Sequence, residues 1–333
     1  MDRIDAERIF AAAAREALKA FPIADGDLQL VTVRENVTFR VTDRRDGAVY
    51  VLRLHRPGYH TLDELNSERI WIRALADAGI AVPTPVATRD GREYVSVAVP
   101  GTGEHRHAGI ARWTEGRILS DVLHEISDQR VLEGYFEQLG AITAALHNQS
   151  SGWQAPRPFT RHTLDRDGLM GDAPFWGPFW DHALLSSGER RLMLATRDRI
   201  RPVLDRYGQH RQTYSLIHAD MHPGNVLIDG DRLTVIDFDD AAFGWHQYEI
   251  AVALIHHQSV PAFAALEAAF LKGYREVRAI TDDALALLPM FRLIRGMAQI
   301  GWYHQRPEHN PPPRFDAMKD RVCAQCEAFE EPI

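Results

Sequence analysis

One loop constrains this chain more than any other segment. It lies between two short apolar runs, Thr213 to Ile217 and Val226 to Ile228, and reads His218-Ala219-Asp220-Met221-His222-Pro223-Gly224-Asn225. Asp220 follows His218 by two residues, and Asn225 follows Asp220 by five. A further apolar run, Leu233 to Ile236, ends in Asp237-Phe238-Asp239-Asp240, which puts a carboxylate at a strand end near the same loop. Taken singly, each of these residues reads as turn chemistry. The joint spacing, with a β-rich region before it and helices after it, argues for a built site.

The rest of the chain sets the scale. Its 333 residues, 45% hydrophobic and 25% charged, are those of an ordinary globular protein with room for two lobes and a ligand cleft. A net charge of -8 argues against a general nucleic-acid binder. Cys323 and Cys326 are the only cysteines, so no disulfide framework is expected and both read as plain thiols in a reducing cytoplasm. Met1 to Phe21 reads as an amphipathic helix with acidic residues near its start, and no apolar run is long enough to span a bilayer.

Before residue 110 the pattern is α+β. Three β-type runs, Leu28 to Arg34, Val37 to Thr42 and Ala48 to Leu54, precede a helix over Leu62 to Ala78, and two more follow at Glu93 to Val99 and His105 to Trp113. From Arg117 onward long helical patterns dominate, including Asp128 to His147 and Glu189 to Tyr207. The expected architecture is a bilobal α+β fold: an N-lobe over residues 1–110 with an antiparallel sheet and one helix, a hinge at 111–116, and a larger helical C-lobe over 117–333.

The loop spacing H-x-D-x-x-x-x-N is that of a phosphoryl-transfer catalytic loop. Magnesium prefers hard oxygen ligands, so the Asn225 amide oxygen and the Asp237 carboxylate are the predicted metal ligands. Asp220 is the predicted group that orients the acceptor hydroxyl and accepts its proton late, and ATP is the expected phosphoryl donor.

The residues His218, Asp220, His222, Gly224 and Asn225 complete the pattern H-x-D-x-H-x-G-N, in which the chain resembles the aminoglycoside phosphotransferase and choline kinase superfamily of protein-kinase-like fold. Val235 to Trp245 and Tyr248-Glu249-Ile250-Ala251 are most similar to the group containing type II homoserine kinases and the stress-response kinase RdoA. The resemblance implies that Arg53, in Val51-Leu52-Arg53-Leu54, grips the α and β phosphates where protein kinases carry Lys, with Glu68 as its partner. It places the nucleotide loop at Arg34 to Phe39, where there is no glycine and Asn36 with its backbone amides is the candidate phosphate cap. It places the adenine-binding hinge at Ala111 to Trp113, where Ala111 and Trp113 would offer main-chain groups.

The acceptor is expected to meet His222, Asp239, Asp240, Trp245 and Glu249, with Arg292 and Arg295 on one face of a late helix. Two arginines near acidic loops suit a zwitterion or carboxylate that carries a hydroxyl; their alternative role is to brace the loop against Asp239 or Asp240. The aromatic stretch containing Phe175, Trp176, Phe179 and Trp180 reads either as a substrate wall or as core. The expected partner is a small-molecule acceptor, an amino alcohol or hydroxy amino acid, with no nucleic acid and no membrane. A protein Ser/Thr kinase would use the same catalytic groups, and a non-catalytic nucleotide-binding pseudokinase is the third class. That class typically loses the Asp base or the metal Asp, and here both are present.

Overall fold

The alternating runs of the first third of the chain form one antiparallel sheet in the computed structural model, which describes residues 3–23, 25–309 and 312–331. Met1 and Asp2, at the predicted start of the first helix, lie outside them. Helix α1 (Arg3–Leu18) is followed by β1 (Gly26–Val33), β2 (Val37–Asp43), β3 (Val49–Leu54), α2 (Leu62–Asp77), β4 (Pro85–Val86), β5 (Tyr94–Ala98) and β6 (His105–Arg112). The strand order is β1-β2-β3-β6-β4, and β5 pairs with β6. Strict alternation in β2 turns Val37, Phe39 and Val41 into the core, where they meet Leu52, Leu54 and Ile110 and the alanine face of α1. Thr61 and Glu64 close a capping box at the start of α2, which fixes where that helix begins.

The chain divides into two compact units. The first comprises residues up to Arg117 together with Ala155–Arg161 and Leu227–Asp239, and the second holds the remainder. The sequence division at 110 and 116 therefore misses two returns of the chain to the first unit. The second return is pinned by the Val235 amide, which donates to the Ala81 carbonyl at 3.0 Å, and by Phe238, packed edge-on against the buried Trp71 ring.

In the second unit the helices Gln129–Gly152 and Phe263–Val277 lie in close contact. Glycine permits this: a Cβ on Gly140 would sit 1.9 Å from the Phe270 carbonyl oxygen, and one on Gly273 would sit 1.9 Å from that of Glu137. The strand Tyr214–Ile217 pairs antiparallel with Ala242–Trp245, which pairs parallel with Thr163–Leu164. From Ala242–Trp245 the chain runs straight into the wholly buried helix His246–Leu254. Cys326 is buried on the helix Pro312–Glu327, and burial pushes its thiol up to about 12, so it is an unreactive thiol. No helix among the described residues is long and apolar enough to cross a membrane.

Beneath that strand His147 and His246 stack at 4.1 Å. The His246 Nε2 lies 2.9 Å from the Ser215 hydroxyl, and the His147 Nδ1 lies 2.8 Å from the Tyr274 hydroxyl. Burial, with the nearby Arg278 charge, lowers the His246 pKa to about 3, and burial with the His246 and Arg278 charges lowers that of His147. In the unfolded chain a histidine titrates near 6.5, so between that pH and about 3 the unfolded state binds more protons. Stability is expected to fall as pH drops through this window, by up to about 1.4 kcal/mol per pH unit for each proton. Urea midpoints of the wild type and of His246→Gln between pH 7.5 and 4 should converge as pH falls. Parallel curves would remove His246 from the acid response.

Candidate active site

The loop 218–225 is a set of side-chain to backbone bonds closing on one carboxylate. The His218 Nδ1 accepts from the Asp220 amide at 3.3 Å, and the His222 Nδ1 accepts from the Gly224 amide at 3.0 Å. A Cβ on Gly224 would come within 2.7 Å of the His222 ring, which is why glycine stands there. The Asn225 Nδ2 donates both to the Asp220 carbonyl at 2.9 Å and to its Oδ2 at 2.8 Å. Each fixed residue of H-x-D-x-H-x-G-N is thus accounted for by a bond or a close approach.

Asp220 carries further contacts in the same unit. Arg295, on the helix Leu288–Gln305, donates from Nη2 to Oδ1 at 2.9 Å, and the His222 Nε2 stands 3.4 Å from Oδ2. Burial works to raise the Asp220 pKa, but His222 and Arg295 outweigh it and hold the carboxyl well below the usual range. The Arg295 Nη1 also reaches the Tyr248 hydroxyl at 3.4 Å, and Trp176 donates to that hydroxyl from Nε1 at 3.1 Å.

Beneath the loop lies Glu249, 1% exposed, whose carboxylate accepts from the amides of His218 (2.5 Å), Ala219 (3.1 Å) and Met221 (3.3 Å). Burial lifts its carboxyl to about 7 against the opposing pull of these three amides. Ala219 adopts φ +64°, a left-handed conformation that costs a non-glycine residue on the order of 1–2 kcal/mol, and the Glu249 bond helps to hold it there.

The first unit carries the other predicted chemistry. Asp237 also lies in the left-handed region, at φ +65°, and the Arg53 Nη1 donates to its Oδ1 at 2.7 Å. Burial works against the Arg53 charge, but Asp237 and Asp239, with a lesser contribution from Glu68, raise its pKa. The direct partner of Arg53 is therefore Asp237 rather than Glu68, whose buried Oε2 has no hydrogen-bond partner among the described residues. Asp239 is an anchor: its Oδ2 accepts from the Asn36 Nδ2 at 3.0 Å, its Oδ1 stands 3.4 Å from the His55 Nδ1, and its carbonyl contacts His60 and Arg161.

Several predicted contacts are corrected by these positions. Trp245 is core, with its Nε1 donating to the Gly208 carbonyl at 2.8 Å, and Glu249 is spent on the loop amides; neither presents a group to an acceptor. Asn36 does not offer its side chain to phosphate, because its Oδ1 accepts from the Arg56 amide while its Nδ2 holds Asp239. Ala111 sits inside β6 opposite Val51 and Pro85, and the Trp113 amide is bonded to the Val49 carbonyl at 3.0 Å, so that amide is not available to adenine. Arg292 pairs with Glu267 and lies over Phe263, away from the Asp220 contacts of Arg295. Asp240 contributes negative charge near Arg295. Sequence reasoning missed His256, edge-on to His222 at 5.1 Å, and the His55, His60 and Arg161 contacts to Asp239, none of which follows a local pattern.

Comparison with known proteins identifies the family. The family model described as the phosphotransferase enzyme family matches residues 28–284. A homoserine kinase of Parvibaculum lavamentivorans is 30% identical over 229 residues, covering 67% of this chain and 63% of that kinase. Among solved structures, a microcompartment-associated aminopropanol kinase is 30% identical with a TM-score of 0.80, covering 95% of both chains. An amicoumacin kinase in complex with AMP-PNP, Ca2+ and Ami is 21% identical with a TM-score of 0.79, covering 98% of this chain and 95% of that one, and shows the shared fold.

Proposed function

The chain belongs to the phosphotransferase enzyme family and is a small-molecule kinase, and from that premise we propose that it moves the γ-phosphate of ATP to a hydroxyl of an amino alcohol or hydroxy amino acid. The observation that carries this reading is the complete loop around Asp220 in a chain 30% identical, over 95% of its length, to an aminopropanol kinase. Both the aminopropanol and the homoserine relative are named for acceptors that join a hydroxyl to an amine.

In this mechanism Asp220 orients the acceptor hydroxyl and takes its proton late, because a loose phosphoryl-transfer transition state asks for positioning more than for a strong base. Its low pKa suits that role. Asn225 and Asp237 are the residues that would hold a divalent cation. The donor chemistry fits: the Asn225 nitrogen is spent on Asp220, which leaves its amide oxygen as the available donor atom, and Asp237 offers a partly exposed carboxylate. When bound, the cation neutralises charge on the β and γ phosphates.

Acceptor-dependent ADP release with Mg-ATP, across a panel of amino alcohols, hydroxy amino acids and other hydroxylated metabolites, tests the proposal. Turnover confined to the first two classes is expected. A silent panel with phosphate transferred to protein would replace it with the protein-kinase reading.

Arg53 belongs to the same proposal as the residue that grips the donor phosphates. Arg53→Ala is expected to raise the ATP KM or lower kcat, and Glu68→Ala to do so more mildly, because Glu68 acts on Arg53 through its charge and makes no bond to it. Unchanged steady-state kinetics in both variants would take the pair out of the nucleotide site.

A further inference from the structure

We propose that Arg295 reads a carboxylate on the acceptor, so that the preferred substrate class is a hydroxy amino acid and its decarboxylated amino alcohol is the poorer substrate. The inference rests on the small-molecule kinase reading and narrows its acceptor. It starts from the crowding around Asp220. Oδ1 is taken by Arg295, and Oδ2 by Asn225 with His222 beside it. Oδ1 keeps a further lone pair, so a hydroxyl that bonds this carboxylate either enters beside Arg295 and shares Oδ1 with it or displaces one of those contacts. Asn225 and His222 belong to the loop itself and define its shape. Arg295 comes from a separate helix and is the contact that can be exchanged.

A buried guanidinium does not release its counter-charge without another anion to replace it. An acceptor carboxylate supplies that anion. Arg295 is 9% exposed and its Nε, among the described residues, has no hydrogen-bond partner, while the neighbouring Nη2 holds Asp220 through a single bond. The Nε and Nη2 edge of a guanidinium can hold both oxygens of one carboxylate, and here it is half used. Trp176 and Tyr248 brace the group from the other side, with the Trp176 ring centroid 5.8 Å from the guanidinium carbon.

Charge complementarity points the same way. Of the acids in this region, Glu249 is committed to backbone amides and Glu267 to Arg292. An ammonium group with no carboxylate would enter against the Arg295 charge, which among the described residues Asp220 and Asp240 already balance. A zwitterion brings its own negative charge for Arg295.

Matched acceptors that differ only by the carboxylate test this: homoserine against 3-aminopropan-1-ol, threonine against 1-aminopropan-2-ol, and serine against ethanolamine. Rates would be measured as ADP release by the wild type, Arg295→Met and Arg295→Lys. In at least one pair the wild type should favour the carboxylated member by at least about tenfold in kcat/KM, the low end for a hydrogen bond to a charged group. Arg295→Met should abolish that ratio mainly through KM of the carboxylated member, and Arg295→Lys should restore part of it. A merely structural role would lower both members together and leave the ratio unchanged, which overturns the inference, as does a wild-type preference for the decarboxylated members. ADP release that none of these acceptors raises above the acceptor-free rate would overturn the small-molecule reading itself and this inference with it.

Discussion

Asp220→Asn is expected to slow phosphoryl transfer by at least about a hundredfold, the lower range for a positioned acid or base, while Mg-ATP binds almost as it does to the wild type. The substitution keeps the size and shape of the side chain but removes the charge that Arg295 and His222 face. It also leaves the buried Arg295 guanidinium without its counter-charge, so the loss of rate includes a loss of order around the acceptor. The proposed mechanism gives Mg-ATP to other residues, Arg53, Asp237 and the Asn225 amide oxygen, and the Asn225 bond to the Asp220 backbone carbonyl does not depend on the Asp220 charge. Calorimetry with Mg-ATP and transfer to a confirmed acceptor, run on one preparation, separate the two effects. Wild-type transfer by Asp220→Asn would strip Asp220 of its role, and equal loss of nucleotide binding would show that the variant had disturbed more than the acceptor side.

How far the sequence reached is clearest in this loop. The fold class and most elements were readable because period-two and helical patterns report burial directly: β2 alternates without a break, and α2 begins at its Thr61 cap. The spacing from His218 to Asn225 was readable because its residues bond one another across a few positions. What stayed hidden was long-range. Arg295 meets Asp220 from 75 residues away, and Asn36 meets Asp239 from 203 away, pairings that no local pattern records. Glu249 and Trp245 looked like site residues because they are polar or aromatic and close to the motif, yet each is a buried side chain whose polar atoms are satisfied by the backbone, the usual arrangement of polar atoms in a core. Arg292 and Arg295 share a helix at a spacing of three, but Glu267 and Asp220 draw them to different partners.

Asp237→Ala is expected to abolish turnover, and the backbone at this position decides how the test must be built. Asp237 holds φ +65°, which Asp and Asn tolerate better than Ala because their short polar side chains bond locally. Asp237→Ala therefore combines loss of the carboxylate with backbone strain, whereas Asp237→Asn keeps the local preference and loses only the charge. Asp237→Ala also releases Arg53 from its bond to Oδ1, Asp237→Asn keeps an oxygen that can accept that bond but removes its charge, and both leave the cation with less to balance it. ATP without metal should then bind either variant at least as well as it binds the wild type, while the extra thermal protection that Mg2+ adds to ATP should vanish. Melting temperatures with ATP alone and with Mg-ATP, measured beside turnover, resolve these effects. A metal-dependent increment that survives in both variants, or wild-type turnover at saturating Mg2+, would place the cation on other residues; loss of turnover in Asp237→Ala alone would assign its defect to the backbone.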